Sequence, residues 1–188
     1  MRRSCTAHIR HVVILARLVG MLSVLLAMLP ALCLGASRDP GQVVRVVDGD
    51  TLVIRLDSRR EEHVRLIGVD TPESKRNKRA AMQAERSHSD EAGIIALGKA
   101  SAKNTEKLAP PSTQVELEYD VEQRDRYKRL LAYVYLPDGR MLNEAILEGG
   151  YGSVLTVPPN VRYVARFRNA AEKARSTGQG LWRPEPAQ

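Results

Sequence analysis

Only two cysteines occur in the 188 residues, Cys5 and Cys33. Both fall in an N-terminal stretch that reads as a leader, so the chain beyond it has none. No disulfide can then hold the fold, and a core of ordinary side chains must do so alone. Histidine is scarce as well: past the leader only His63 and His88 remain. No serine–histidine pair is evident, and neither nucleophilic catalysis nor a zinc site finds support. The leader itself has no acid. Arg2, Arg3 and Arg10 precede an apolar run from Leu18 to Leu34, closed by Gly35, Ala36 and Ser37. That order predicts a secretory signal peptide over residues 1–36, with cleavage after Gly35 or Ala36 and export to a periplasmic or extracellular space. An uncleaved membrane anchor is the alternative, since the run just reaches the lower limit for spanning a bilayer. Pro30 and the small residues beyond it favour cleavage. Arg2-Arg3 lacks the fuller twin-arginine pattern, and Leu32 before Cys33 disfavours lipid modification. Internal repeats and low-complexity segments are absent too.

The leader takes four of the 29 Lys and Arg and none of the 22 acids, which leaves 25 basic residues and a net charge of +3. So mild an excess is weak support for a polyanionic partner. The remaining length, about 150 residues over 37–188, suits a single domain with a proper core.

The residues themselves place the elements. Arg38–Gln42 reads as a loop. Val43–Val47 and Leu52–Leu56 read as strands joined by Asp48-Gly49-Asp50-Thr51, a strong hairpin signal. A turn at Asp57–Arg60 leads to a third strand from about Glu62 to Val69, giving an antiparallel meander. Thr71, Pro72 and Glu73 then read as a helix start: a cap, a first-position proline and an acid at the positive helix end. The basic segment Lys75–Arg79 and the stretch to Leu108 predict one or two helices, broken near Gly93 or Gly98. Val115–Tyr119 alternates as a half-buried strand. The charged turn Asp125–Arg129 feeds a strand over Leu130–Tyr135. Asn143 is expected to cap a short helix to Glu148, and Asn160 a last helix to about Ser176. The pattern is α+β, mainly β: a five-stranded barrel of the oligonucleotide-binding (OB) type with about three packed helices.

Singly, the charged residues have dull explanations as turn, cap and surface groups. Together, Asp50, Asp70, Glu73, Arg65 and Arg129 sit in turns or at strand ends and form the set that phosphodiester hydrolysis needs. Carboxylates such as Asp50 and Asp70 suit a hard cation. Glu73 is a candidate base for water. Arginine supplies fork-shaped donors for phosphoryl oxygens, as lysine does not. One geometric condition attaches. Strict alternation puts Arg65 and Asp70 on opposite faces of a strand, so for both to face one pocket the strand must twist, bulge or end before Asp70, with Gly68 the plausible place.

Four motifs in order, Val47–Thr51, Arg65–Glu73, Asp125–Tyr135 and Asn143–Gly150, make the chain from Val43 to Trp182 resemble the staphylococcal nuclease (thermonuclease) family. The resemblance implies an OB-fold barrel with packed helices and a calcium-dependent (Ca2+) phosphodiesterase acting on DNA and RNA, monomeric, with low sequence specificity. By position it implies calcium ligands at Asp50, Asp70 and the Thr71 carbonyl. It places the general base, or the group orienting the attacking water, at Glu73, and phosphate-clamping arginines at Arg65 and Arg129. Contacts to a terminal phosphate fall on Tyr127 and on Arg126, where the family often has lysine. Water would attack phosphorus in line, the 5′ oxygen would leave, and products would end in 3′-phosphate. Two departures stand out: a longer segment between Glu73 and Lys99 that carries the basic run, and aliphatic residues at Ser153–Pro158 where the namesake places tyrosines. A non-catalytic nucleic-acid-binding OB module is the alternative, and an exported barrel recognising carbohydrate or protein a third. Retention of all five charged residues argues against the former, and the arginine pair against the latter.

Overall fold

In the computed structural model of the chain, which describes residues 37–183, the first strand does more than the hairpin signal suggested. β1 (Asp39–Asp48) pairs along Gly41–Asp48 with β2 (Thr51–Leu56). Its first four residues, expected as a loop, also pair with Gln114–Leu117. Two register shifts let the strand bend between its partners. The leader and both cysteines lie outside the described residues.

β2 pairs antiparallel with β3 (Glu61–Leu66), which runs parallel to β6 (Leu130–Tyr135). β6 pairs antiparallel with β5 (Gln114–Glu118), and β5 with β1 closes a five-stranded barrel in the order β1-β2-β3-β6-β5. This is the expected OB fold. Val43, Leu52, Ile54, Val64, Leu66, Val115, Leu117 and Val134 fill the core, each under 5% exposed. Branched apolar side chains at these positions suit a pleated surface, and each contributes about 1.5–3 kcal/mol when fully buried.

Among the described residues four α-helices pack around the barrel, where about three were expected: α1 (Lys78–Ser87), α2 (Glu91–Leu108), α3 (Leu142–Glu148) and α4 (Val164–Ser176). The predicted break near Gly93 or Gly98 falls instead at His88–Asp90. His88 takes a left-handed conformation (φ 51°) and Asp90 caps α2 through Gly93 N. Gly98 lies inside α2 at the point where the Glu73–Ser74 backbone crosses, which leaves no room for a side chain. A Cβ at Gly98 would stand 2.3 Å from the Glu73 carbonyl.

Three capping expectations are also overturned. No helix starts at Thr71-Pro72-Glu73; these residues form a loop, and Asn77 caps α1 four residues past Glu73. Asn143 lies inside α3, fully buried. Its Oδ1 accepts from Val134 N (2.9 Å), and its Nδ2 donates to the Ile67 (2.8 Å) and Ala132 (3.2 Å) carbonyls. It is spent tying α3 to β6 and to the turn after β3. Asn160 likewise clamps the Glu122 backbone through both its N–H and its carbonyl (2.8 Å each), and α4 starts later, at Val164.

The condition on Gly68 is met. β3 stops at Leu66, Gly68 turns with φ +81°, and the two-residue β4 (Val69–Asp70) pairs with β7 (Ser153–Val154) outside the barrel. A Cβ at Gly68 would lie 2.4 Å from the Phe167 ring of α4. The position needs glycine both for its backbone and for its space.

Candidate active site

The break at Gly68 brings Asp70 back to Arg65, whose Nη2 donates to Asp70 Oδ1 (3.0 Å). Arg65 points from β3 into the molecule and is 6% exposed. Its Nη1 forms an ion pair with Asp50 Oδ1. Asp50, at the β1–β2 turn, is equally buried. Its Oδ1 accepts from Thr51 Oγ1 (3.0 Å), and its Oδ2 from the Thr71 N–H (3.0 Å) and Thr71 Oγ1 (3.1 Å). Burial pushes the Arg65 guanidinium down to about 10, Asp70 opposes that, and the charges of Arg79 and Arg129 add to the lowering. Arg65 therefore stays charged at neutral pH.

From Asp70 the alternation of charge continues. Arg79 on α1 donates through Nη2 to Asp70 Oδ1 (2.5 Å) and pairs through Nη1 with Glu73 Oε1 (3.2 Å). Asn77 Nδ2 donates to Glu73 Oε2 (2.8 Å). Gln83 accepts from Glu73 N (3.0 Å) and donates to the Thr71 carbonyl (3.4 Å). The sequence predicted Glu73 in an exposed turn, but its side chain is only 13% exposed.

Arg129 stands apart from these acids. Its Nε and Nη2 both reach Asp125 Oδ2 (2.7 Å), and its N–H donates to Asp125 Oδ1 (3.0 Å). Arg129 faces the same cleft of about 450 Å³ as Arg65, Arg79, Arg126 and Tyr127. Tyr127 is largely exposed, with the guanidinium of Arg126 4.8 Å and that of Arg129 5.5 Å from its ring centre. Leu155 and Val157 form an aliphatic wall. The structure thus gathers the predicted arginines and Tyr127 around one cleft. Asp50, Asp70 and Glu73 do not line that cleft but join it through Arg65 and Arg79. Asp70 and Thr71 border a second cleft of about 440 Å³.

Asp50 and Asp70 each place an oxygen on the Arg65 guanidinium. With the Thr71 carbonyl next in sequence they form a hard-oxygen donor set that fits calcium. Among the described residues no three acidic, histidine or cysteine side chains gather as a ready metal cage, so backbone and water would complete such a shell. Asp48 lies close by: burial raises its pKa, the Gly49 N–H opposes that, and the charge of Glu73 adds to it.

Sequence reasoning left Arg79 in the basic run Lys75–Arg79, read either as a phosphate-backbone contact or as a solvated surface, and did not single out Asn77, Gln83 or Asp125. The available signals were modest: an asparagine with helix-start spacing, Arg79 and Gln83 one turn apart, and Asp125 four residues before Arg129.

A family profile described as "Staphylococcal nuclease homologue" matches residues 63–184. The chain is 36% identical over 140 residues to a thermonuclease of Staphylococcus intermedius, covering 74% of each. It is 31% identical over 147 residues to a thermonuclease of Staphylococcus hyicus, covering 78% of each. It is also 32% identical over 140 residues to endonuclease YncB of Bacillus subtilis, covering 73% of this chain and 59% of that protein.

Proposed function

Because the chain belongs to the staphylococcal nuclease family, we propose that it is an exported, calcium-dependent nuclease that hydrolyses DNA and RNA with low sequence specificity and leaves 3′-phosphate ends. That it is a nuclease, and so a hydrolase of phosphodiester bonds, follows from the family. The observation that carries the finer reading is the unbroken line Asp50–Arg65–Asp70–Arg79–Glu73 beside a cleft walled by arginines.

A phosphodiester in that cleft meets two guanidinium forks from different elements. Arg65 is fixed by its carboxylates from below, and Arg129 by Asp125 from the side. Donors held in place before substrate arrives stabilise charge on phosphoryl oxygens without reorganising. In this reading Glu73, joined to the cleft through Arg79, takes a proton from the attacking water. Asp50, Asp70 and the Thr71 carbonyl would hold calcium, whose charge would offset that building on the phosphoryl oxygens. Low specificity fits a cleft that offers forks for the backbone, aliphatic Leu155 and Val157, and one exposed aromatic, Tyr127, to the bases. Export rests on the leader.

The test is cleavage of single-stranded and duplex DNA and of RNA by the purified protein, with calcium and with a chelator. Cleavage in calcium that stops with chelator is expected. Salt-sensitive binding without cleavage would instead make this a binding module, and undiminished cleavage in chelator would remove the calcium assignment.

A further inference from the structure

Both carboxylate oxygens of Glu73 are held by one helix outside the barrel. Asn77, the N-cap of α1, donates to Oε2 and Arg79 pairs with Oε1. Gln83 accepts from the Glu73 backbone N–H. Arg79 and Gln83 are one helical turn apart and so share a face. Asn77 spends its amide on two tasks. Its Oδ1 accepts from Ala80 N (2.9 Å), which starts the helix, and the planar amide then aims Nδ2 at Glu73.

α1 is anchored in turn. Ala80 and Ala84 pack with Ile94 of α2 in a small cluster separate from the barrel core. α2 presents Gly98 to the Glu73–Ser74 backbone from the other side. The loop that bears Glu73 therefore runs between side chains of α1 and the backbone of α2. A carboxylate has about four lone-pair positions, so two donors from α1 fix its plane and leave acceptor capacity for water.

We propose that α1 is the positioning scaffold of Glu73, with Asn77 and Arg79 setting the carboxylate and Gln83 holding its backbone; the inference rests on the nuclease reading above. These are positioning residues: they act on the reaction through Glu73. The added segment then supplies part of the catalytic geometry and is more than a charged surface.

The experiment uses the full protein with Asn77→Ser, which keeps a capping oxygen but is too short to reach Glu73, and with Arg79→Met, which loses both ion pairs. In each, kcat should fall about ten- to a hundredfold with KM for DNA nearly unchanged. Far-UV circular dichroism and the unfolding midpoint should stay close to the parent's. Arg79→Lys should recover part of the loss. In a Glu73→Gln background neither change should lower the residual rate further, because groups acting through one residue are not additive. Unchanged kcat would overturn the proposal. So would a rise in KM at constant kcat, which would make Arg79 a phosphate contact, and so would a full further loss in the Glu73→Gln background. If Arg79→Met does not fold, Asn77→Ser decides alone. An inactive parent protein overturns the nuclease reading and this inference together, whereas an active parent with equally active variants overturns only the inference.

Discussion

Two charged clusters on this barrel use the same residue types for different ends. On the closed side, Glu118 of β5 is buried among Tyr135, Tyr163 and Arg162. The phenols donate at 2.9 and 2.8 Å and Arg162 Nη1 at 2.5 Å. Asp120 beside it accepts from Tyr133 (2.9 Å). Burial alone would raise the Glu118 pKa, but hydrogen bonds from Arg162, Tyr163 and Tyr135 outweigh it and hold the carboxyl below its usual range. On the cleft side, Asp70 has guanidinium partners and a side chain 26% exposed. There Arg65 spends Nη1 on Asp50 and Nη2 on Asp70. The first cluster is satisfied by weakly acidic phenols that leave nothing for a ligand. The second is made of acids and arginines paired with one another beside open space. Acids closed off by phenols and Arg162 build the fold, whereas acids paired with arginines that line a cleft build a site.

That contrast breaks most sharply at Glu73. Glu73→Gln keeps the shape of the side chain, so kcat should fall by about a hundredfold to ten-thousandfold while the thermal midpoint barely moves. Steady-state rates beside a melting curve check this, and near-parental turnover would remove Glu73 from its role. Arg129→Lys comes next. A point charge cannot keep the fork to phosphate, and a loss of about a hundredfold in kcat is expected, read in the same assay. A fully active lysine variant would argue against a bidentate contact.

The closed cluster should respond in the opposite way. Glu118→Gln is expected to leave kcat alone and to cost about 1–3 kcal/mol in denaturant unfolding at neutral pH. The sign with pH follows from the depressed carboxyl. Its contribution is fully present above the unfolded value near 4.5 and is lost as pH falls through the lower folded value. Stability of the parent should therefore drop more steeply in acid than that of Glu118→Gln, and matching slopes would refute the assignment. The smallest effect belongs to Arg55→Ala, whose pair with Glu61 is about half exposed on both sides. A change of about 0–1 kcal/mol and full activity are expected from the same two measurements.

Much of the barrel was legible in the chain because period-two apolar runs and the Asp-Gly turn are local signals. Leu130–Tyr135 is a strand as expected, and Gly68 is the break it had to be. The capping asparagines misled because Asn143 and Asn160 satisfy backbone groups of distant segments, and no local rule separates that use from a cap. Asp39 and Pro40 are strand because β5 stands beside them, and Gly41 and Gln42 because β2 and β5 flank them.

The sequence by itself determined the inventory: three acids, two arginines, the turns that carry them and the barrel pattern beneath. It did so because hydrophobic period and turn chemistry act over a few residues. Tertiary structure alone decided which charges meet. Arg65 reaches both Asp50 and Asp70 because the chain reverses at Gly68, and Arg79 reaches Glu73 because α1 folds back over the loop before it. Ion pairing depends on distances of a few ångströms between residues that the chain brings together only once its core has closed.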